Sequence, residues 1–189
     1  NLFCISQMNS CHVQEIVFYI ISSPEFSNLK SHGFSIEKIY NCGLALMNIS
    51  LEKQITEVSF KTVRDKFILG TKASKDMIEK IMLNEVPNEN LKFPPQNTEI
   101  DHSFNQMLPF KNKYLLMPRP LSSLAFLNST LNSIIAPDGK RNNENDKTLG
   151  LLLERFVKER LDSYGIVYRS GSYTSKDGLV SGESDITIE

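Results

Sequence analysis

The residues best suited to chemistry are the carboxylates of the closing segment Glu183–Glu189, whose sequence is ESDITIE. Polar and apolar residues alternate strictly here, so a β-strand would place Glu183 and Asp185 on one face and Ile186 and Ile188 on the other. Neighbouring carboxylates repel one another, and a divalent cation relieves the repulsion because hard oxygen ligands suit Mg²⁺. The pattern predicts a strand with one face in a core and an acidic face towards a cation.

The elements upstream must position these acids. An apolar stripe at helical spacing predicts a helix over 148–163, and Glu154 lies beside that stripe. Tyr164-Gly165 ends the helix, and the residues 166–169 form a short strand. A loop rich in Gly, Ser and Thr then runs to Gly182. We therefore expect an acid carried by the helix to converge with the acids of the final strand.

The order of these features resembles the PD-(D/E)xK nuclease superfamily over residues 149–189, roughly a fifth of the chain. The matching features are the helix with an acid at its edge, the strand, the loop and the motif Gly182-Glu183-Ser184-Asp185. The resemblance implies a restriction-endonuclease-like αβββαβ core that cleaves DNA with Mg²⁺. It also implies that Glu154 and Asp185 are catalytic, metal-binding residues, with Glu183 as an accessory metal-binding acid.

The sequence departs from that superfamily in one important respect. It stops at Glu189, so no (D/E)xK pair follows Asp185 and the matching lysine is absent. We expect the 189 residues to be a fragment of a longer endonuclease and to be inactive by themselves. A degenerate domain that keeps the fold without the chemistry is the alternative. An alternating acidic strand is also typical of an ordinary exposed strand.

The sequence predicts an α+β protein in three parts. Residues 1–95 read as a helical N-terminal region, 96–140 as a connector made of a hairpin and a helix, and 141–189 as the partial αββ nuclease-like core. A proline-containing stretch over 87–102 is predicted to be the linker between the first two parts. A polar, charged loop is expected over 140–147.

Local patterns predict the elements of the first two parts. Helices are expected at the following places: over Val13–Ile21, from Ser23-Pro24-Glu25 towards Gly33, from Ser35 through Leu44, from about Val58 to Gly70, from Ser74 to Met82, and from Ser122 or Ser123 to Ile135. Residues 104–110 and 114–117 are predicted to form a hairpin whose first strand is an edge strand. Pro109 dictates this, because proline cannot donate to a sheet ladder.

Composition limits the partners. The net charge is −1, whereas a protein that wraps DNA through broad electrostatics is usually more basic, so contact with DNA must come from a local patch. Between Lys147 and Lys176, six basic residues stand against three acids, Glu154, Glu159 and Asp162. That excess could touch phosphates, and an ordinary solvated helix face explains it equally well.

The sequence contains no segment that could cross a membrane and leaves functions other than a nuclease open. The longest apolar run, Ile16–Ile21, is far below the ~20 residues that cross a bilayer, so we expect no membrane span and a cytoplasmic location. Cys4, Cys11 and Cys42 show no disulfide or zinc spacing. The alternatives to a nuclease are a non-enzymatic module whose N-terminal helices bind a partner protein and a nucleic-acid-binding module without catalysis. The oligomeric state is not indicated.

Overall fold

The computed structural model describes residues 9–83, 105–174 and 181–188 and shows an α+β protein of helices and small antiparallel sheets. Its contacts divide the chain into unit 1, Asn1–Asn143, and unit 2, Glu144–Glu189. The predicted linker over 87–102 and the predicted boundary near residue 95 lie outside the described residues. None of the described helices is long and apolar enough to span a bilayer.

Six α-helices and seven strands are named here in chain order. The helices are α1 (Ser10–Ile21), α2 (Ile36–Ile49), α3 (Phe60–Phe67), α4 (Thr71–Met77), α5 (Arg119–Ile135) and α6 (Asn143–Ser163). The strands are β1 (Lys30–Ser31), β2 (Phe34–Ser35), β3 (Thr56–Val58), β4 (Met107–Phe110), β5 (Lys113–Leu116), β6 (Tyr168–Thr174) and β7 (Ser181–Ile188). One π-helical turn, Ile78–Met82, continues α4.

The core of unit 1 forms where α1, α2 and α5 pack together. Asn9 caps α1 because its Oδ1 accepts the Cys11 N–H at 2.9 Å, which satisfies one of the free amides of the first turn. The apolar faces of the three helices meet at Val17, Tyr40 and Phe126, all buried. The Tyr40 and Phe126 rings lie 5.5 Å apart and inclined at 48°, a favourable tilted geometry.

A single buried amide side chain ties this core to the start of β4. Gln106 is fully buried, and its Nε2 donates to the Gly43 carbonyl at 3.0 Å and to the Ser122 Oγ at 2.9 Å. These bonds join α2 and α5, which are close partners because Gly43 lacks a side chain. A Cβ on Gly43 would lie 2.5 Å from Cδ2 of Phe126, well inside contact distance.

A sheet and two short helices cover the other side of unit 1. β5 lies between β3 and β4, antiparallel to both, with Val58 opposite Tyr114 and Pro109 opposite Tyr114. β4 is therefore an edge strand of this sheet, and the prediction made from Pro109 is confirmed. Between β3 and β4 along the chain come α3, a turn of three residues and α4.

Two predicted elements differ from the structure. The helix expected from Ser23 is only a 3-10 turn, Pro24–Phe26, followed by the β1–β2 hairpin, because His32 (φ 51°) and Gly33 (φ 81°) reverse the chain. The helix expected to end at Gly70 stops at Phe67, and Ile68 takes the left-handed conformation (φ 55°). Isoleucine is strained there because its Cβ crowds the backbone.

Candidate functional site

The predicted catalytic helix exists and starts earlier than expected. α6 begins at Asn143 rather than at 148, so most of the predicted 140–147 loop is helical. Glu144 and Asp146 lie in its first turn, where negative charge is favoured by the helix dipole. The helix ends as predicted at Tyr164-Gly165, where Gly165 has φ 65° and the Ile166 N–H donates back to the Leu161 carbonyl at 2.9 Å.

Glu154 lies in the middle of α6 and is engaged by a neighbouring lysine. Its Oε1 accepts from Nζ of Lys158, one turn further on, and each side chain is about one third exposed. A glutamate four residues before a lysine is the favourable order on a helix. A pair of this exposure stabilises the helix by only a few tenths of a kcal/mol.

The last turns of α6 act electrostatically on Tyr168, the first residue of β6. Glu154, Lys158 and Asp162 follow at helical spacing, and the last two act on Tyr168 of β6. The pKa of Tyr168 is raised, first by loss of contact with solvent and then by the Asp162 carboxylate, while the ammonium of Lys158 lowers it in part. Glu154 lies two turns before Asp162 on the same stripe of α6, and its nearness to the acids of β7 stays a prediction.

β6 and β7 form the antiparallel hairpin that carries the predicted acids. Glu183 lies opposite Ser172 in the ladder, and the register shifts between Arg169 and Gly171. Because Arg169 pairs with Thr187 and Gly171 with Ser184, β7 has one residue more than β6 over this stretch. An irregularity of this kind is a β-bulge, which is frequent beside active sites because it redirects side chains.

The prediction of a strand at the end of the chain is confirmed, and the prediction that its apolar face enters a core is not. β7 runs from Ser181 to Ile188, so the expected strand is present, but Ile188 is 61% exposed and does not enter a core. The bulge interrupts the two-residue period on which that expectation depended. The side chains of Glu183 and Asp185 lie outside the described residues, so their convergence with Glu154 stays a prediction.

The described residues contain no preformed metal centre. Among the described side chains, which do not include those of Glu183 and Asp185, no three His, Cys, Asp or Glu residues lie close enough to share a metal ion. His32 sits in the β1–β2 turn, where its backbone N–H donates to the carboxylate of Asp138. Cys4, His102 and Glu189 lie outside the described residues.

Sequence patterns missed β3. β3 has only three residues and pairs with β5, more than fifty positions later in the chain. The break between α3 and α4 at residues 68–70 agrees with the predicted helix end at Gly70, although α4 begins at Thr71 and not at Ser74. Two helices joined by three residues form a compact helix–turn–helix.

No protein-family model matches this chain, and neither a curated protein nor a solved structure shows significant similarity to it. Function therefore has to be inferred from the chain's own residues.

Proposed function

We propose that unit 2 is part of a Mg²⁺-dependent DNA endonuclease of the PD-(D/E)xK type. The observation that carries the proposal is the order α6, β6, β7 along the chain, with Glu154 in the middle of α6 and Asp185 at the bulge of β7. Glu154 and Asp185 are the proposed catalytic acids, and Glu183 is an accessory acid. This local order is the one that the superfamily resemblance implies.

The donor set suits a hard cation, because all three proposed ligands are carboxylates. When bound, Mg²⁺ supplies a water of lowered pKa and neutralises charge on the phosphate. In the hydrolysis, a water oxygen bonds to phosphorus, the bond to the leaving oxygen breaks, and that oxygen takes up a proton. Glu154 is paired with the ammonium of Lys158, so a metal ion at this carboxylate would have to displace that ion pair.

Metal binding by the 189-residue chain tests the assignment of the acids. We expect isothermal titration to detect weak Mg²⁺ binding that Asp185→Asn and Glu154→Gln each reduce by about tenfold. Glu159→Gln, on the same helix, is the matched control and keeps the affinity of the parent chain. Binding that Asp185→Asn leaves intact would remove Asp185 from the site.

DNA cleavage gives the second test. The chain lacks a matching (D/E)xK pair, so we expect no nicking of supercoiled DNA in Mg²⁺. Cleavage by a PD-(D/E)xK core requires an acid-x-Lys pair in addition to the acids proposed here. Robust Mg²⁺-dependent cleavage by the 189 residues would contradict the expectation that this chain is inactive.

A non-enzymatic interaction module is the second candidate, and two observations favour it. Glu154 already has a cationic partner in Lys158, so its position needs no metal. In unit 1, an open cleft of about 570 Å³ runs along α1 and α2, and Phe18 on its border is 57% exposed. A protein partner of the N-terminal helices would cover that ring. Chains with Asp185→Asn and without metal would bind such a partner unchanged.

A further inference from the structure

Unit 1 contains a second cleft, whose walls are mostly polar. It has a volume of about 310 Å³ and is lined by residues of β1, of the π-helical turn Ile78–Met82 and of the second half of α5. The described residues that line it are all different from those of the cleft along α1 and α2. Clefts of roughly this volume bind small molecules.

Buried serines of α5 form the floor of this polar cleft. Ser129 and Ser133 are each 6% exposed and both line it. Their hydroxyl protons are already engaged, because Ser129 Oγ donates to the Phe126 carbonyl at 3.2 Å and Ser133 Oγ donates to the Ser129 carbonyl at 2.8 Å. The two oxygens keep lone pairs, so the floor can accept hydrogen bonds from a ligand.

A third serine of the cleft has an unsatisfied hydroxyl. Ser31 of β1 is 1% exposed, and its Oγ has no hydrogen-bond partner within the part of the chain that the structure describes. Leaving a buried hydroxyl unpaired costs about 1–3 kcal/mol, and folded proteins seldom do so. A ligand hydroxyl seated on the floor would give this side chain a partner.

The positive charge of the polar cleft lies at its exposed rim. Lys80 lines the cleft and is exposed, and no carboxylate is found among the described lining residues. Lys80 forms no ion pair with a described residue, whereas Lys75 of α4 pairs with Glu79 at 3.7 Å. The amide of Asn132, also exposed, adds a donor to the rim.

Asp138 is the acid beside this rim, and it is engaged with His32 and not with Lys80. Its carboxylate accepts the backbone N–H of His32, and its Oδ1 lies 3.8 Å from Nδ1 of the same residue. His32 lines the cleft, whereas Asp138 does not. The ammonium of Lys80 is therefore left to pair with one anionic group of a ligand.

We propose that the polar cleft binds a small hydroxylated anion, a molecule with several hydroxyl groups and one phosphate or carboxylate group. Its hydroxyls donate to the buried oxygens of Ser129 and Ser133, and one of them satisfies Ser31. Its anionic group pairs with Lys80 at the rim, where it stays partly hydrated and avoids the cost of burying a charge. A bare anion would leave the floor oxygens facing lone pairs, and an uncharged polyol would leave Lys80 unpaired.

This ligand site stands independently of the nuclease proposal, because it uses no residue of unit 2. If the acids of unit 2 have no catalytic role, the polar cleft would still bind its ligand. Measuring binding in EDTA separates the two proposals, since a metal ion held by the acids of unit 2 cannot then contribute to the result.

The test is isothermal titration of the whole chain in EDTA with four probes: glycerol phosphate, glycerate, glycerol and inorganic phosphate. We expect glycerol phosphate or glycerate to bind with a Kd below about 1 mM. Glycerol, which lacks the anionic group, and inorganic phosphate, which lacks the carbon-bound hydroxyls, should each bind at least about tenfold more weakly. The tighter of the two hydroxylated anions shows whether the rim prefers a phosphate or a carboxylate.

Substitutions locate the binding. Lys80→Ala should weaken it by about tenfold, and Lys80→Arg, which keeps the charge, should largely restore it. Ser31→Ala should weaken it by about threefold without lowering the Tm, because alanine leaves no unpaired hydroxyl in the fold. The matched control is Lys72→Ala, an exposed lysine of α4 outside the cleft, and its affinity should stay within about twofold of the parent.

Circular dichroism checks that each variant keeps its helices. Three results would each overturn the proposal. They are the absence of binding of both hydroxylated anions at about 10 mM, equal weakening by Lys72→Ala and Lys80→Ala, and inorganic phosphate binding as tightly as glycerol phosphate and glycerate.

Discussion

The two units of this protein bury their apolar residues to very different extents. In unit 1, Val17, Ile39, Leu46 and Phe126 are essentially inaccessible to solvent. Among the described side chains of unit 2, six large apolar ones are exposed on α6, on the connection to β6 and on β7: Leu151, Val157, Tyr164, Ile166, Val167 and Ile188. Packing therefore determines the fold of unit 1, whereas helix signals and a strand ladder determine most of unit 2. Substitutions of apolar residues should therefore lower the free energy of unfolding more in unit 1 than in unit 2.

The largest contrast is expected from removing one ring in each unit. Phe126→Ala opens a cavity at the centre of the three helices and should lower the free energy of unfolding by about 3–5 kcal/mol. Tyr164→Ala removes a ring that is 76% exposed and should change it by less than about 0.5 kcal/mol. Urea unfolding followed by circular dichroism measures both. Similar costs for the two variants would show that the units do not differ as described.

A pair of glycines inside helices should give effects of opposite sign. Gly43→Ala in α2 forces a Cβ to within 2.5 Å of the Phe126 ring, so we expect a net destabilisation of about 1–2 kcal/mol despite the better helix propensity of alanine. Gly150→Ala in α6 meets nothing within 4 Å and should stabilise that helix by about 0.5–1 kcal/mol. Thermal unfolding monitored at both units measures the two shifts. Shifts of the same sign would contradict the close contact between α2 and Phe126.

A smaller effect is expected from high pH at the buried Cys42 of unit 1. Burial raises the pKa of the Cys42 thiol from 9.0 to about 12, so the folded state resists forming the thiolate. Stability is thus complete below about pH 9 and falls as the pH rises towards 12, by about 1.4 kcal/mol per pH unit. Between pH 9 and about pH 10, Cys42→Ala should flatten this decline while Cys11→Ala, at an exposed site, should not. Urea titrations at each pH give the profiles, and parallel profiles for the parent and Cys42→Ala would exclude Cys42 as the cause.

Sequence patterns predicted the elements that local chemistry specifies. The helix α5 and the hairpin with its Pro109 edge strand follow from apolar spacing and from the missing N–H of proline. The end of α6 at Gly165 follows from the tolerance of glycine for a left-handed conformation. For the candidate site, the order of helix, strand and acidic strand, and the place of Glu154 on α6, could be predicted in the same way.

Other features depend on contacts between distant parts of the chain. β3 exists because it pairs with β5, and Ser23-Pro24-Glu25 forms one turn because the next residues enter a hairpin against α5. The bulge of β7 comes from a mismatch with β6, which no pattern within β7 reveals. The four-residue spacing of Glu154 and Lys158 predicts an ion pair. Spacing does not say whether the glutamate binds the lysine ammonium or a metal ion.

The hydrogen bonds of Gln106 have a consequence for the speed of folding. Its amide meets the Gly43 carbonyl across 63 positions of the chain, and it does so inside the tightest part of the core. Forming that contact requires closure of a long loop, whose entropy is lost before the surrounding side chains can pack. Helices such as α2 and α5 can form in microseconds, while the joining of these distant segments should set the rate, in milliseconds or longer.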